Sequence, residues 1–363
     1  MRYIYIIAAT ALLAVAENKS HAQGCVAIRS NGNSCSIGNP AAAKGWQMNF
    51  NNRYFKSYKH FVGSIEQKER EENGTEVINH TYSLDITATR YFNARWSVGM
   101  TLPVISNTRS SLYEHGGNAG GPSARHNTRS FGIGDMRVSV YRWLFNPAKH
   151  PKGNIQAGIG IKLPTGDYQY QNYFYKADGS TVMGPVDQSI QLGDGGTGFT
   201  LEMNSYYQFN HKFGLYGNFY YLINPREQNG VSTARGGTPN STALKYFTST
   251  MSVPDQYMIR GGASYMTGKL TFTGGIRLEA IPSSDLIGGD KGFRRPGFVT
   301  SLEPVFSYQA KKATLYLSIP VALERNRTKS YADKLRSADT GTDVHGDAAF
   351  ADYAVTAGVS FRF

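Results

Sequence analysis

Lys269-Leu-Thr-Phe-Thr-Gly-Gly-Ile-Arg-Leu-Glu-Ala280 puts Leu270, Phe272, Ile276 and Leu278 on one face and Thr271, Thr273, Arg277 and Glu279 on the other. That period of two is a β-strand and not a helix. The same alternation recurs in residues 82–88, 155–163, 201–209 and 353–363, and twelve such segments begin near residues 45, 80, 95, 131, 153, 198, 213, 255, 269, 298, 312 and 351. Composition agrees. Aromatic residues make up 13% of the 363-residue chain, more than a disordered protein carries, and 40 glycines are more than a helical bundle tolerates.

The connections alternate in length. Long polar stretches at about 58–79, 107–130, 169–197, 225–254, 282–297 and 326–350 take turns with tight links near Asn93, Asn146 to Lys152, His211, Thr267 to Lys269, and Lys311. Long loops on one side, short turns on the other and an even strand count describe an outer-membrane barrel. A soluble sandwich has no reason to segregate its loops this way. In such a barrel a charge turned to lipid costs about 2–4 kcal/mol at the midplane, so the apolar faces point outward and the polar faces line the lumen. A soluble barrel would be filled the other way round.

The first 22 residues read as an export signal: Arg2, an apolar run from Ile4 to Ala16, and Ser20-His21-Ala22 as a cleavage site. The run is shorter than the ~20 residues of a spanning helix. The formal charge of the whole chain is +12. Residues 23–44 are expected to form a periplasmic segment, and residues 45–363 the barrel. Cys25 and Cys35, the two cysteines of the chain, read as one disulfide closing a small loop in an oxidising compartment. The alternative reading is a lipidated Cys25, although Ala22-Gln23-Gly24 lacks the usual Leu.

The last segment turns Tyr353, Val355, Ala357, Val359, Phe361 and Phe363 to one side and Thr356, Gly358, Ser360 and Arg362 to the other. A closing strand with a terminal aromatic resembles the recognition strand of bacterial outer-membrane proteins. Phe131-Gly-Ile-Gly-Asp-Met-Arg-Val-Ser-Val-Tyr-Arg-Trp143, Gly158-Ile-Gly-Ile-Lys-Leu-Pro-Thr-Gly-Asp-Tyr168 and Gln191-Leu-Gly-Asp-Gly-Gly-Thr-Gly198 resemble the outer-membrane family named for a meta-cleavage-pathway phenol-degradation protein. That likeness covers about 70 residues. It implies a barrel related to the fatty-acid-channel class and passage of aromatic or other hydrophobic compounds. The words also have a plain architectural reading. Gly132, Gly134, Gly158 and Gly160 remove side chains where strands approach closely, and Pro164 ends a ladder before a loop.

Strand parity assigns Arg53, Asp85, Asp135, Arg137, Lys162, Glu202, Arg260, Arg277, Glu279, Glu303 and Glu324 to the lumen. Their mixed signs suit a structural network more than a dedicated ion pore. The surplus positive charge is then expected in loops and turns, at Arg109, Arg125, His126, Arg129, Arg226, Arg294, Arg295, Arg325, Arg327 and Lys329, where external cations would meet lipopolysaccharide phosphates. Scattered over many loops of an exported chain, they do not form a nucleic-acid stripe. Trp46, Trp96, Trp143, Tyr207, Phe209, Phe213 and Tyr265 fall near strand ends, as an interfacial girdle requires. Tyr168, Tyr170, Tyr173, Phe174 and Tyr175 cluster in the third long loop, either to greet an aromatic or acyl ligand or to pack on one another.

His60, His80, His115, His126, His150, His211 and His345 are dispersed without a recurring Ser or Asp spacing, so no catalytic site is expected. No cofactor or metal is expected either. The reading is an all-β, antiparallel transmembrane barrel of about twelve strands that passes small hydrophobic or aromatic solutes in the outer membrane. The alternative is a closed accessory subunit of a larger envelope complex, docking a protein partner through its loops or N-terminal segment.

Overall fold

The computed structural model describes residues 44–363; the expected export signal and the Cys25–Cys35 loop lie outside the described residues. Twelve strands form one closed antiparallel barrel. In order they are Gly45–Val62, Ile78–Tyr91, Trp96–Ser111, a fourth in two pieces (His126–Ile133 and Met136–Trp143), Gly153–Leu163, Gly198–Gln208, Phe213–Ile223, Gln256–Thr267, Leu270–Ile281, Gly297–Gln309, an eleventh in two pieces (Ala313–Ser318 and Val321–Arg327), and Ala348–Arg362. The last strand pairs with the first from Gln47↔Arg362 to Phe61↔Ala348, which closes the cylinder and leaves no free edge.

The alternation read from the sequence becomes the two faces of the wall. Ile159, at 65% exposure, and the large apolar side chains Met203, Phe272 and Leu315 point outward. Asp85, Glu202, Arg277 and Glu303 point inward and are buried. Six of the seven girdle aromatics sit outward at the short-turn end. Trp143 is the exception; it packs edge-on against Tyr206 at 5.8 Å and lines the lumen.

The short turns are held by their own side chains. Asn93 Oδ1 accepts from the Arg95 and Trp96 amides at 2.8 and 3.0 Å, and Asn210 Oδ1 accepts from those of Lys212 and Phe213 at 2.8 and 2.9 Å. These are Asx turns, which fix a hairpin without help from neighbours. Gly268, at φ +59°, supplies the left-handed residue of the Thr267–Lys269 turn.

Two strands are broken. At Gly134-Asp135 the fourth strand changes parity: Thr128 and Ser130 are buried before the break, and Arg137, Ser139 and Tyr141 after it. The outer piece pairs with the third strand alone, because the fifth strand ends at Leu163 opposite Met136. At Ile319-Pro320 the eleventh strand breaks, since proline has no N–H to give to the ladder. Its outer piece meets the last strand in the ladder only at Val321↔Tyr353. Arg325 stitches the rest, reaching the Ala351 carbonyl at 3.0 Å and the Asp352 carboxylate at 2.5 Å. A register shift there also places Glu324 opposite Thr300, exposed on the outer face. Glu324 therefore does not belong to the lumen set: simple parity fails at a bulge, where one extra residue reverses every side chain beyond it.

The glycines of the fourth and fifth strands mark close approach. A Cβ at Gly160 would collide with Ser139 Oγ and lie 2.5 Å from Thr200 Oγ1 and 2.7 Å from the Val138 carbonyl oxygen. Gly160→Val is expected to lower stability by about 1–3 kcal/mol, the usual cost of overpacking. The urea midpoint of the purified barrel, followed by its folded band on unheated gels, reads this directly, and an unchanged midpoint would refute it.

Candidate functional site

The outer end of the barrel is filled by its own loops. Residues 164–197 send out a hairpin, Gln171–Tyr175 paired with Thr181–Pro185, and then turn inward through the short helix Gln188–Ile190. Ile190 is fully buried, and its carbonyl accepts from Ser130 Oγ at 2.5 Å and Asn107 Nδ2 at 3.2 Å on the barrel wall. The next loop packs against it: Gln188 Nε2 donates to the Ser252 carbonyl at 2.9 Å, and Arg226 Nη1 to that of Gly195 at 2.6 Å.

Ion pairs hold this plug. Asp187 takes two bonds from Arg295, at 2.8 and 2.7 Å, lies 3.5 Å from Arg109, and caps the short helix by accepting from the Ser189 amide. Glu114 joins the cluster by pairing with Arg109 at 3.0 Å and Arg235 at 3.3 Å. Burial alone would push both carboxyls up. For Asp187 the Arg109 and Arg295 guanidiniums outweigh it and hold the group well below the usual carboxylate range. Glu114 is lowered too, chiefly by Arg109 against the opposing charge of Asp187.

These contacts change the reading of the external cations. Arg109, Arg294, Arg295 and Arg327 are buried. Each pairs with a carboxylate: Arg294 with Asp285 at 2.7 Å, Arg327 with Asp333 at 3.0 Å, and the other two as above. Arg125 lies 3.4 Å from Glu76, Lys329 pairs with Asp343, and Arg226 is spent on carbonyls. His126 stacks on Tyr175 at 4.1 Å. Of the ten, Arg129 is exposed on the outer surface. The surplus charge does not sit in the external loops.

Beneath the plug lies a chamber of about 160 Å³. Phe55, Ile105, Leu192, Leu222 and Ile281 give it apolar walls; Arg53, Arg137, Lys162, Asp135 and Asp194 add charge. Lys162 pairs with Asp194 and lies 3.7 Å from Asp135. Asp135, at the break of the fourth strand, accepts from the Gly166 and Asp194 amides at 3.0 and 3.1 Å. The strand break thus anchors the loop that roofs the chamber. Arg137 donates to Tyr220 Oη at 3.3 Å.

Below the chamber a polar belt crosses the wall through the register Asn204↔Asn218, Asn218↔Arg260 and Arg260↔Arg277. Arg277 bonds Glu303 at 3.0 Å and Glu279 at 2.7 Å, Arg260 lies 3.6 Å from Glu303, and Ser318 Oγ donates to Glu303 at 2.9 Å. Glu202 accepts from Tyr141 Oη at 3.0 Å. Ten of the eleven parity-assigned charges fall on this belt, on the chamber or beside them; Glu324 does not. Below the belt the lumen widens into a vestibule of about 770 Å³ at the short-turn end.

None of Tyr168, Tyr170, Tyr173, Phe174 and Tyr175 lines the chamber. Phe174 is buried under His115 at 5.6 Å, Tyr173 and Tyr175 stand on the outer hairpin, and Tyr168 carries Arg226 over its ring. The loop's contribution comes instead from Leu192 and its neighbours, inside the Gln191–Gly198 stretch that resembled the family. Among the described residues no three His, Cys, Asp or Glu side chains converge to hold a metal ion.

No family model and no curated protein matches the chain. Among solved structures it is similar to an outer membrane channel from Pseudomonas putida F1, 9% identical, with a TM-score of 0.58 over 93% of this chain and 100% of that one. Weaker likenesses are the translocator domain of the autotransporter NalP from Neisseria meningitidis (11% identical, TM-score 0.43, 89% of this chain and 90% of that one) and the Ralstonia pickettii toluene transporter TbuX (12% identical, TM-score 0.42, 94% and 97%). The first of these establishes the fold: an antiparallel outer-membrane barrel.

Proposed function

We propose that this outer-membrane barrel is a channel for passive passage of small hydrophobic or aromatic molecules. The observation that carries the reading is the chamber under the plug. Its 160 Å³ is close to the roughly 150 Å³ at which an engineered apolar cavity holds one benzene. Apolar walls with a few fixed polar groups are the usual make-up of a small-molecule site. The Pseudomonas putida protein of similar fold is an outer membrane channel, which fits the same reading.

Single-channel recording of the refolded protein tests it. Steady current that an added aromatic solute interrupts is expected, and Leu192→Trp, which fills the chamber from its roof, is expected to reduce that block at least several-fold while the barrel still folds. Absence of current and of any solute effect, in protein shown by circular dichroism to be folded, would favour the closed accessory barrel instead.

A further inference from the structure

The described residues carry 35 lysines and arginines against 25 aspartates and glutamates, and that surplus is gathered at one end. The strand ends and turns of the short-turn end comprise residues 44–50, 86–101, 140–158, 203–217, 262–275, 304–318 and 355–363. They hold eleven lysines and arginines and no aspartate or glutamate. The rest of the described chain is balanced at 24 against 25. The asymmetry is therefore a property of one mouth of the barrel, not of the protein at large.

Part of this charge faces lipid. Arg90 lies over Trp46 at 5.3 Å and Arg142 over Trp96 at 5.0 Å, on the outer surface. The other part faces the lumen: Arg95, Lys269, Lys311, Lys312 and Arg362 line the 770 Å³ vestibule, and among the described residues no carboxylate side chain lines it with them. The belt and the plug behave differently, since every buried guanidinium named there has an acidic or hydroxyl partner. Like charges around a low-dielectric cleft repel one another and focus a field that concentrates ions of opposite sign. Arg95 is held by the Trp143 and Leu144 carbonyls and Arg362 lies over the Tyr91 ring, but these neutral partners leave the net positive charge, which an anion offsets.

We propose that the vestibule is an anion-attracting chamber and that the channel's solutes are small organic anions, carboxylates on an apolar or single-ring body. This rests on the channel reading above. The apolar walls of the chamber receive the ring, Arg137 and Arg53 line the chamber beside them, and the basic vestibule draws the carboxylate through to the short-turn side. A neutral solute would gain nothing from the vestibule, and an ammonium would be repelled by it.

The test is the reversal potential of the refolded full-length mature chain in a planar bilayer under a KCl gradient. Chloride is expected to permeate several-fold better than potassium near 0.1 M salt and less selectively near 1 M, because the screening length falls from about 10 Å to about 3 Å. Lys269→Gln, Lys311→Gln and Lys312→Gln together, all at exposed turns, are expected to bring the permeability ratio close to one. Benzoate in place of chloride is expected to carry current, and benzylammonium in place of potassium is not. Current with no anion preference at low salt, or a triple variant with unchanged preference, would overturn the inference while leaving the channel reading intact. No current, together with no swelling of proteoliposomes in benzoate or in a small neutral sugar, would overturn both.

Discussion

Asp187→Ala is expected to open the outer end of the barrel. The substitution leaves the Arg295 guanidinium without the carboxylate that takes its two bonds and strips the helix cap from Gln188–Ile190. Breaking a buried pair by removing one partner costs about 3–5 kcal/mol, most of it the stranded charge. Loss of a cap adds about 1 kcal/mol. The rest of the loop keeps its other attachments to the wall: Ser130 and Asn107 at the Ile190 carbonyl, Asp135 at the Gly166 and Asp194 amides, and Lys162 at Asp194. The release should therefore be local, and the reading is a several-fold larger and noisier single-channel conductance with the folded band on unheated gels preserved. Conductance equal to that of the unaltered protein would refute the latch.

The same carboxylate fixes the pH dependence. Its folded value is held well below the ordinary range, near 3.9 for an unfolded chain. A depressed carboxyl contributes stability that is fully present above the unfolded value and is lost as pH falls through the folded one. The Asp187 latch should accordingly hold from pH 8 to about pH 5, with its acid opening confined to well below pH 4; Asp285, pushed up to about 6 by burial, titrates earlier, in the separate loop where it pairs with Arg294. Asp347, lowered to about 2 against burial by its bond to His60 and the nearby Arg70, gives the neighbouring loops the same acid tolerance.

Glu303→Ala carries the largest expected effect on the stability of the barrel wall itself. Glu303 is 1% exposed and is shared by Arg277, Arg260 and Ser318. Its removal leaves two buried guanidiniums facing one another across strands that are directly paired. About 3–5 kcal/mol is expected for the lost partner, measured as a shift of the urea midpoint in lipid vesicles. Glu303→Gln keeps the shape and the acceptor for Ser318 but not the charge, and should retain only part of the loss. Equal midpoints for Ala and the unaltered protein would mean that lumen water solvates the two arginines.

Most of the wall was legible because it is a local property. Leu270 through Ala280 declares its two faces within eleven residues, and eleven of the twelve strand starts read from sequence fall within three residues of those observed; the fourth begins five residues earlier, at His126. What was not legible depends on partners distant in sequence. Arg295 reads as a free external cation because Asp187 is 108 residues away; Arg235 meets Glu114 across 121. Once those pairs are made, the net charge has nowhere to lie but the turns. Glu324 was misplaced by a bulge that no periodicity announces. The chamber was missed for another reason: Phe55, Ile105, Leu222 and Ile281 are apolar residues at polar-face positions of their strands, and each alone looks like noise in the alternation. The aromatic run from Tyr168 to Tyr175 is the louder signal, and its Tyr173, Phe174 and Tyr175 lie in a hairpin away from the chamber.

The seam between the first and last strands sets an order of events. Hairpins such as the one around Asn210, closed at Gln208↔Gly214, span only a handful of residues, with their turns already fixed by asparagine side chains. The Gln47↔Arg362 pairing must join segments more than 300 residues apart. Loop-closure entropy grows as 1.5RT times the logarithm of loop length, a difference of about 3 kcal/mol between the two. The local hairpins can therefore assemble as a growing curved sheet, and the cylinder is completed in one final step. Until that step the strand from Ala348 to Arg362 is an open edge, and the network around Glu303 is already in place one strand pair away from it.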